Sequence, residues 1–266
     1  MTAAHIDLSF LRYVAARKGL AAARVREGAA YAYSGDLRVR NGLDRLRPVT
    51  LAVAATERMW QTGKARLLEA AVEVGPSKFP HVHKAGARCA QVLQIPVPAI
   101  YISPSIGVLD AHTFSTADEP CIVLHTSLID RFSDAELLAV IGHECGHIHN
   151  NHAVYLTTRY FLGNAGNQFL RWVAKPAVAA LDGWVRRAEI TCDRAALLCT
   201  GDMDVSTAVL VKLDELLARK TNLSKRVAAL GLFAETAYFR GVLGKSGGTS
   251  KATCDAKVGK LLAVQS

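Results

Sequence analysis

Residues 141–152 read IGHECGHIHNNH, and this stretch places four histidines and one glutamate within ten residues. His143 and His147 are four residues apart, so on an α-helix both side chains lie on one face, one turn apart. Glu144 follows His143 directly, which gives the pattern H-E-x-x-H. This pattern indicates either a zinc-dependent catalytic site or a helix that is only rich in histidine.

The sequence upstream predicts that this stretch is helical. Ser133 and Glu136 form a capping-box pattern directly before an apolar run, in which the serine accepts from the backbone N–H of Glu136 and the glutamate reaches back. Asp134 suits the positive N-terminus of a helix. We therefore expect a helix from about Asp134 to His152.

The chemistry of H-E-x-x-H depends on this helix. Two imidazoles on one face can bind one zinc ion, and water bound to such an ion loses a proton near neutral pH. Glu144 lies beside the metal without binding it, so it can take that proton and pass it to a leaving nitrogen. Gly142 and Gly146 count against a plain surface helix, because each glycine costs a helix about 1 kcal/mol relative to alanine. They indicate close approach of a sheet or a ligand.

The other histidines and the cysteines near the motif are expected to be structural. His149 follows His147 by two residues and so lies on a different helix face. His152 can cap the helix or form a hydrogen bond near the site. Cys145 and Cys192 are interpreted as buried small residues rather than zinc-binding thiolates.

A third ligand is available in WVRRAEITCDRAALL, residues 184–198. Glu189 and Asp193 are four residues apart, so they share one helix face. Glu189 can complete a His, His, Glu site for one zinc ion per chain. Asp193 can accept from the free N–H of a ligand histidine and fix its tautomer. An ion-paired helix surface is the alternative for this pair taken alone.

HECGHIHNNH and RRAEITCDRAAL together resemble the gluzincin metallopeptidases that include HtpX and the CAAX prenyl protease. LDAHTFSTADEPCIVLHTSLID, residues 109–130, resembles the edge strand of that family and the strand after it. The resemblance covers roughly residues 75–220. It departs from the family where Asp110 replaces the usual asparagine, and where GGTSKATCDAKVGK stands instead of a His-Pro…Arg segment near the C-terminus.

This resemblance implies a role for each matching residue. His143, His147 and Glu189 would bind zinc, Glu144 would be the general base and acid, and Asp193 would orient a ligand histidine. The edge strand would pair with an extended polypeptide substrate. Its residues are Asp110, Ala111, His112 and Thr113.

Composition limits the other classes of function. The chain has 32 Lys and Arg against 23 Asp and Glu, a net charge of +9, and such a balance can favour anionic partners. Its basic stretches lack interleaved aromatic residues, so nucleic acid is not expected. No stretch offers the roughly 20 apolar residues of a membrane span, and no secretory signal is evident. We expect a cytoplasmic protein with free cysteines, for which peripheral contact with an anionic membrane stays open.

The predicted fold is α+β: a mainly helical, minimal gluzincin domain with a small, largely antiparallel sheet. Residues 1–74 form a basic helical segment that packs on or covers the cleft, 75–220 the catalytic core, and 221–266 a helical or mobile tail. Strands are expected at 99–102 and 121–124. Helices are expected at 78–93, 181–198 and 204–219, with short pieces between Leu156 and Trp184 because of Gly163, Gly166 and Pro176.

The sequence therefore predicts a zinc metalloendopeptidase. Two alternatives remain: a latent or silent protease whose cleft is covered by its own N-terminal segment, and a basic module that binds nucleic acid or an anionic membrane around a structural zinc.

Overall fold

The computed structural model describes residues 28–104, 106, 110–115, 120–163, 168–217 and 223–263. It confirms a mainly helical α+β fold with one small sheet. The helices are α1 (Ser34–Leu43), α2 (Arg47–Leu68), α3 (Pro80–Leu93), α4 (Thr126–Arg131), α5 (Asp134–His149), α6 (Ala153–Gly163), α7 (Gln168–Thr200), α8 (Met203–Leu217), α9 (Leu223–Ala234), α10 (Ala237–Val242) and α11 (Lys251–Ala263). The strands are β1 (Val72–Glu73), β2 (Ala99–Ser103), β3 (Ala111–Phe114) and β4 (Cys121–His125).

The sheet has the strand order β1-β2-β4-β3. β2 and β4 are parallel, whereas β1 pairs with β2 and β3 pairs with β4 in antiparallel register. The sheet is therefore mixed: two of its three strand pairs are antiparallel, as expected for a largely antiparallel sheet, and its central pair is parallel. Every residue of β4 is buried, and β3 is left at the edge.

The helix that carries H-E-x-x-H is α5, and it begins where the sequence predicts. Ser133 Oγ accepts from the backbone N–H of Glu136, and the Glu136 carboxylate accepts from the backbone N–H of Ser133. The helix ends at His149, three residues earlier than expected. Asn151 explains this end, because its φ of 56° leaves the right-handed helical region.

α5 and α7 pack closely because α5 carries glycine where they meet. A Cβ atom on Gly142 would lie 2.9 Å from the Cβ of Cys199, and one on Gly146 would lie 2.7 Å from the Cβ of Ala195. Both distances are below van der Waals contact. The close neighbour that the glycines indicate is therefore a second helix rather than a sheet or a ligand.

α7 runs for 33 residues, from Gln168 to Thr200, and passes through Pro176. The prediction of short pieces between residues 156 and 184 is therefore wrong from residue 168 onward. A proline inside a helix removes one backbone hydrogen bond. Packing overrides that preference here, since Leu181 and Trp184 are fully buried against Leu43 and Val49 of α1 and α2. Among the helices that the structure describes, none is long and apolar enough to cross a membrane.

Hydrogen bonds join the N-terminal region, from Ala29 to α1, to the end of α5 and to α7. The backbone N–H of Ala29 donates to Asn150 Oδ1 (3.1 Å), and that of Tyr33 donates to Thr191 Oγ1 (3.2 Å). The buried Arg40 donates to the backbone carbonyl of Asn150. The first basic stretch, Arg12 to Arg26, lies outside the described residues.

The C-terminal residues expected to be mobile from their composition include the helix α11. Cys254 and Val258 are buried, and Asp255 forms a 2.8 Å ion pair with the fully buried Arg194 of α7. A buried arginine requires a partner charge. The composition did not reveal that α11 supplies it.

Candidate active site

The packing of α5 on α7 brings the motif residues of both helices together. Glu189 faces both histidines of α5: its Oε2 lies 3.6 Å from His143 Nε2, and its Oε1 lies 3.6 Å from His147 Nε2. Two ligand atoms in a tetrahedral zinc site, each about 2.1 Å from the ion, are about 3.4 Å apart. Each imidazole therefore lies at about the distance from the Glu189 carboxylate that a shared zinc ion would require.

Asp193 lies behind His143. Its Oδ1 is 3.2 Å from His143 Nδ1, the nitrogen that points away from Glu189. A carboxylate in this position accepts the ring N–H, leaving Nε2 unprotonated and able to bind a metal. The side chain of Asp193 is only 3% exposed, so this orientation is held inside the protein.

Arg226 of α9 completes this part of the site, and the sequence analysis missed it. Its Nε and Nη2 donate to the two carboxylate oxygens of Asp193 at 2.8 and 2.6 Å, and its Nη1 lies 3.1 Å from Glu189 Oε2. Burial opposes ionisation of Asp193, but Arg226 outweighs it and lowers the pKa of Asp193 to about 2. Arg226 therefore holds Asp193 in its charged form and also lies against the carboxylate of Glu189.

Cys192 offers a second set of ligand atoms. One such atom from each of His143, His147 and Cys192 lies within 4.8 Å of the others. Burial raises the pKa of the Cys192 thiol well above its ordinary value, and a thiol must lose its proton to bind zinc. Its sulfur also packs 3.3 Å from where a Gly146 Cβ would lie. The Glu189 carboxylate is partly exposed to the cleft and lies 3.6 Å from the Nε2 atoms of both histidines, which favours Glu189 as the third ligand.

Glu144 projects from α5 toward the edge strand. Thr113 Oγ1 donates to Glu144 Oε2 at 2.6 Å, and the carboxylate is buried. Burial raises the pKa of Glu144, while His143 and the hydrogen bond from Thr113 oppose this effect. A carboxylate with a raised pKa gains and loses a proton closer to neutral pH, which suits a general base and acid.

β3 brings its residues to the rim of the cleft. Asp110, Ala111, His112 and Thr113 all line it, so the structure places the predicted edge strand beside the motif helix. Asp110 Oδ2 accepts from His112 Nε2 at 2.9 Å, and the His112 ring packs against Phe114 and Tyr160. The aspartate that replaces the usual asparagine therefore holds the strand histidine.

The cleft has a volume of about 650 Å³ and is lined by both polar and apolar side chains. The polar lining residues include the motif residues together with Arg159, Asp182 and Arg186. The apolar lining residues, here called the apolar arm, include Leu128, Ala139, Val140, Val209, Leu210, Leu213, Leu223 and Leu230. No described residue from 28–74 lines the cleft.

The remaining histidines of the motif differ in their surroundings. Tyr31 Oη lies 3.3 Å from His149 Nδ1, on the side of α5 away from Glu189. His152 is fully buried, and its Nδ1 lies 3.1 Å from His147 Nδ1. Cys145 is fully buried in the core. Of His149, His152 and Cys145, only His152 contacts His147, the motif histidine whose Nε2 faces Glu189.

Comparison with known proteins gives the same residues a family context. Residues 76–239 match the model of peptidase family M48. The plastoglobule-localized metallopeptidase 48, chloroplastic, of Arabidopsis thaliana is 38% identical over 146 residues, which cover 53% of this chain and 42% of that protein. The protease HtpX homolog of Moorella thermoacetica is 25% identical over 181 residues, which cover 56% of this chain and 60% of that protein. The chain thus spans about half the length of these relatives, and no solved structure matches it.

The family match includes β3, the motif helix α5, the Glu189–Asp193 pair on α7 and Arg226 on α9. It covers more than half of the chain and confirms the resemblance inferred from the two motifs. This chain belongs to peptidase family M48.

Proposed function

We propose that this chain is a zinc-dependent metalloendopeptidase. In this proposal His143, His147 and Glu189 bind one zinc ion, and Glu144 is the general base and acid. One observation carries the proposal: a single carboxylate, that of Glu189, lies 3.6 Å from the Nε2 atoms of both motif histidines. The family match supports a protease, while zinc and the endopeptidase mechanism are our inference.

Each residue of the site has a separate task. Bound zinc would supply a Lewis acid that polarises the scissile carbonyl and lowers the pKa of a water molecule. Glu144 takes a proton from the attacking water and delivers it to the leaving nitrogen. Thr113 fixes the orientation of Glu144 by donating to its Oε2. Arg226 keeps Asp193 ionised, and Asp193 keeps the N–H of His143 directed away from the metal side.

The substrate is a polypeptide in extended conformation. β3 is an edge strand of the sheet and lines the cleft, so backbone groups on its outer side can form hydrogen bonds with a substrate strand. The apolar arm beside His143 and Glu144 is expected to take a large apolar side chain. We expect the protein to act in the cytoplasm, and peripheral contact with an anionic membrane stays a hypothesis.

Metal removal tests this proposal. Casein hydrolysis is expected to stop when zinc is stripped with a chelator and to return when zinc is restored. Glu189→Gln should lose both zinc and hydrolysis, because an amide oxygen is a weaker ligand than a carboxylate. Glu57→Gln makes the same change on the exposed surface of α2 and should leave both unchanged. Hydrolysis that persists in the zinc-free protein would contradict the proposal.

A truncation distinguishes an active protease from a latent one. The described N-terminal helices line no part of the cleft but bury Leu43, Val49 and Trp60. A truncation near Ala70 would remove this core, so the informative truncation begins at Gly28. Equal hydrolysis by the full chain and the truncated chain would exclude a cleft that is covered by residues 1–27.

A further inference from the structure

A line of buried polar contacts runs from the proposed ligand His147 to the N-terminal helix α1. His147 Nδ1 lies 3.1 Å from His152 Nδ1, and His152 Nε2 lies 3.1 Å from Asp36 Oδ2. The side chains of His152 and Asp36 are 0% and 2% exposed. This ring nitrogen of His152 is buried and forms no well-aligned hydrogen bond with a described residue, so its contact with Asp36 rests on the short distance between the two groups.

These contacts define where each proton lies if His147 binds zinc, so the inference rests on the proposed function. Nε2 of His147 faces Glu189 and must be unprotonated to bind the metal. Its Nδ1 then carries the proton and donates to Nδ1 of His152. Nδ1 of His152 must accept, which leaves its proton on Nε2, the nitrogen that lies 3.1 Å from Asp36 Oδ2. The chain of donors therefore has one direction, from the ligand histidine to a buried carboxylate.

Asp36 is itself held firmly by α7. Trp184 Nε1 donates to its Oδ1 at 2.8 Å, and Thr191 Oγ1 donates to its Oδ2 at 2.6 Å. Trp184 and Thr191 are both fully buried. The carboxylate thus has little freedom to turn away from His152, as expected for a group that fixes the orientation of another side chain.

Asp36 also lies outside residues 76–239, which match the family. The N-terminal region of this chain therefore adds a contact to the site that the matched region does not contain. A purely structural role would require only that the buried histidine and carboxylate neutralise one another. The contact between His152 Nδ1 and His147 Nδ1 extends these polar contacts to a proposed metal ligand.

We propose that Asp36 is a positioning residue for the metal ligand His147, acting through His152. The carboxylate fixes the tautomer of His152, and His152 in turn fixes the ring orientation and tautomer of His147. By this proposal α1 contributes a positioning residue to the zinc site and does not only pack on the hydrophobic core.

Zinc affinity of Asp36→Asn tests the proposal. Asparagine has one acceptor oxygen for three donors, so at least one of the donors from His152, Trp184 and Thr191 loses its partner. Outer partners of ligand histidines typically change metal affinity by about 10- to 100-fold, and we expect a loss of that size in a chelator competition. The visible spectrum of the cobalt-substituted protein should change as well, because the ring of His147 turns.

A matched variant controls for damage to the N-terminal helix. Asp44→Asn makes the same substitution at the C-terminal end of α1, where Asp44 accepts from Tyr155 Oη, and should leave zinc affinity and the cobalt spectrum unchanged. Wild-type affinity and spectrum in folded Asp36→Asn would overturn the inference and leave the zinc site standing. Absence of zinc from the wild type would instead overturn the proposed function.

The wild-type protein provides a test that does not depend on how a variant folds. Nitrogen-15 NMR of the zinc-loaded chain distinguishes the two protonated ring positions of a neutral histidine. We expect His147 to be protonated at Nδ1 and His152 at Nε2. Protonation of His152 at Nδ1 would place two N–H groups face to face and would refute the relay, whatever the result for Asp36→Asn.

Discussion

Substitution of Gly146 by alanine should push α5 and α7 apart at the candidate metal site. A Cβ atom at this position would lie 2.7 Å from the Cβ of Ala195 and 3.1 Å from the Cα of Cys192. Ordinary carbon contacts are about 3.5–4.0 Å, so α5 and α7 would have to separate by close to 1 Å. Both close atoms belong to or adjoin the backbone of α7, which leaves no flexible side chain to move instead.

The magnitude follows from two opposing effects. Overpacking of a tight core costs about 1–3 kcal/mol, whereas the change from glycine to alanine in a helix gains about 1 kcal/mol. The net loss in the free energy of unfolding is therefore at most about 2 kcal/mol. Zinc binding should suffer more than stability, because separating the helices also moves Glu189 on α7 away from His143 and His147 on α5.

Chemical denaturation and chelator competition measure these two effects. Gly183→Ala is the matched control, because Gly183 lies inside α7, the helix that packs on α5, and a Cβ there would meet nothing within 4 Å. We expect Gly183→Ala to be as stable as the wild type or up to about 1 kcal/mol more stable, with unchanged zinc affinity. Gly146→Ala with the affinity and stability of the control would refute the argument that helix contact sets the site.

Three other substitutions have distinct expected results. Arg226→Met removes the arginine from the buried Asp193 and from the partly exposed Glu189, so the metal-free protein should lose about 3–5 kcal/mol of unfolding free energy in urea denaturation. The pKa of Asp193 is lowered to about 2, so its ionised form stabilises the fold above about pH 4, and this contribution disappears as the pH falls toward 2. Asp193→Asn should therefore lower the free energy of unfolding by about 2 kcal/mol near neutral pH and by little near pH 2. Denaturation of the metal-free protein at both pH values measures this difference. Thr113→Val removes a hydrogen bond that lowers the pKa of Glu144. We expect kcat/KM to fall about tenfold and the acid limb of its pH profile to move to higher pH. An unmoved profile would show that Thr113 does not orient Glu144.

Local sequence signals were sufficient to locate the motif helix. The capping box at Ser133 and Glu136 fixes the first turn of α5 through neighbouring residues alone, and the structure contains both of its hydrogen bonds. The four-residue spacing of His143 and His147, and of Glu189 and Asp193, correctly placed each pair on one helix. These features depend on helical periodicity, which a single sequence displays directly.

Contacts between distant segments could not be inferred in the same way. Pro176 alone predicts a helix break. The burial of Leu181 and Trp184, which the structure shows, explains why the helix continues through it. Arg226 lies in a short basic sequence that nothing local distinguishes from a solvated one, although it meets Glu189 and Asp193 in the fold. Such pairings join residues more than 30 positions apart, and neither propensity nor spacing encodes them.

The same limit applies to the glycines and the buried aspartate of the site. Gly142 and Gly146 correctly indicated a close approach to α5, but the sequence did not reveal that the neighbour is α7. Asp36 appeared as one acidic residue in a basic segment, and its contact with His152 depends on how α1 packs. Local sequence patterns therefore suffice to nominate candidate metal ligands, whereas the residues that hold those side chains in place depend on packing.

The most direct test of the account is a paired measurement of zinc content and casein cleavage on the wild type and Glu144→Gln. The account predicts close to one zinc per chain in both proteins and cleavage by the wild type alone, because Glu144 transfers protons but does not bind the metal. Equal cleavage by both proteins, or the absence of zinc from both, would contradict it.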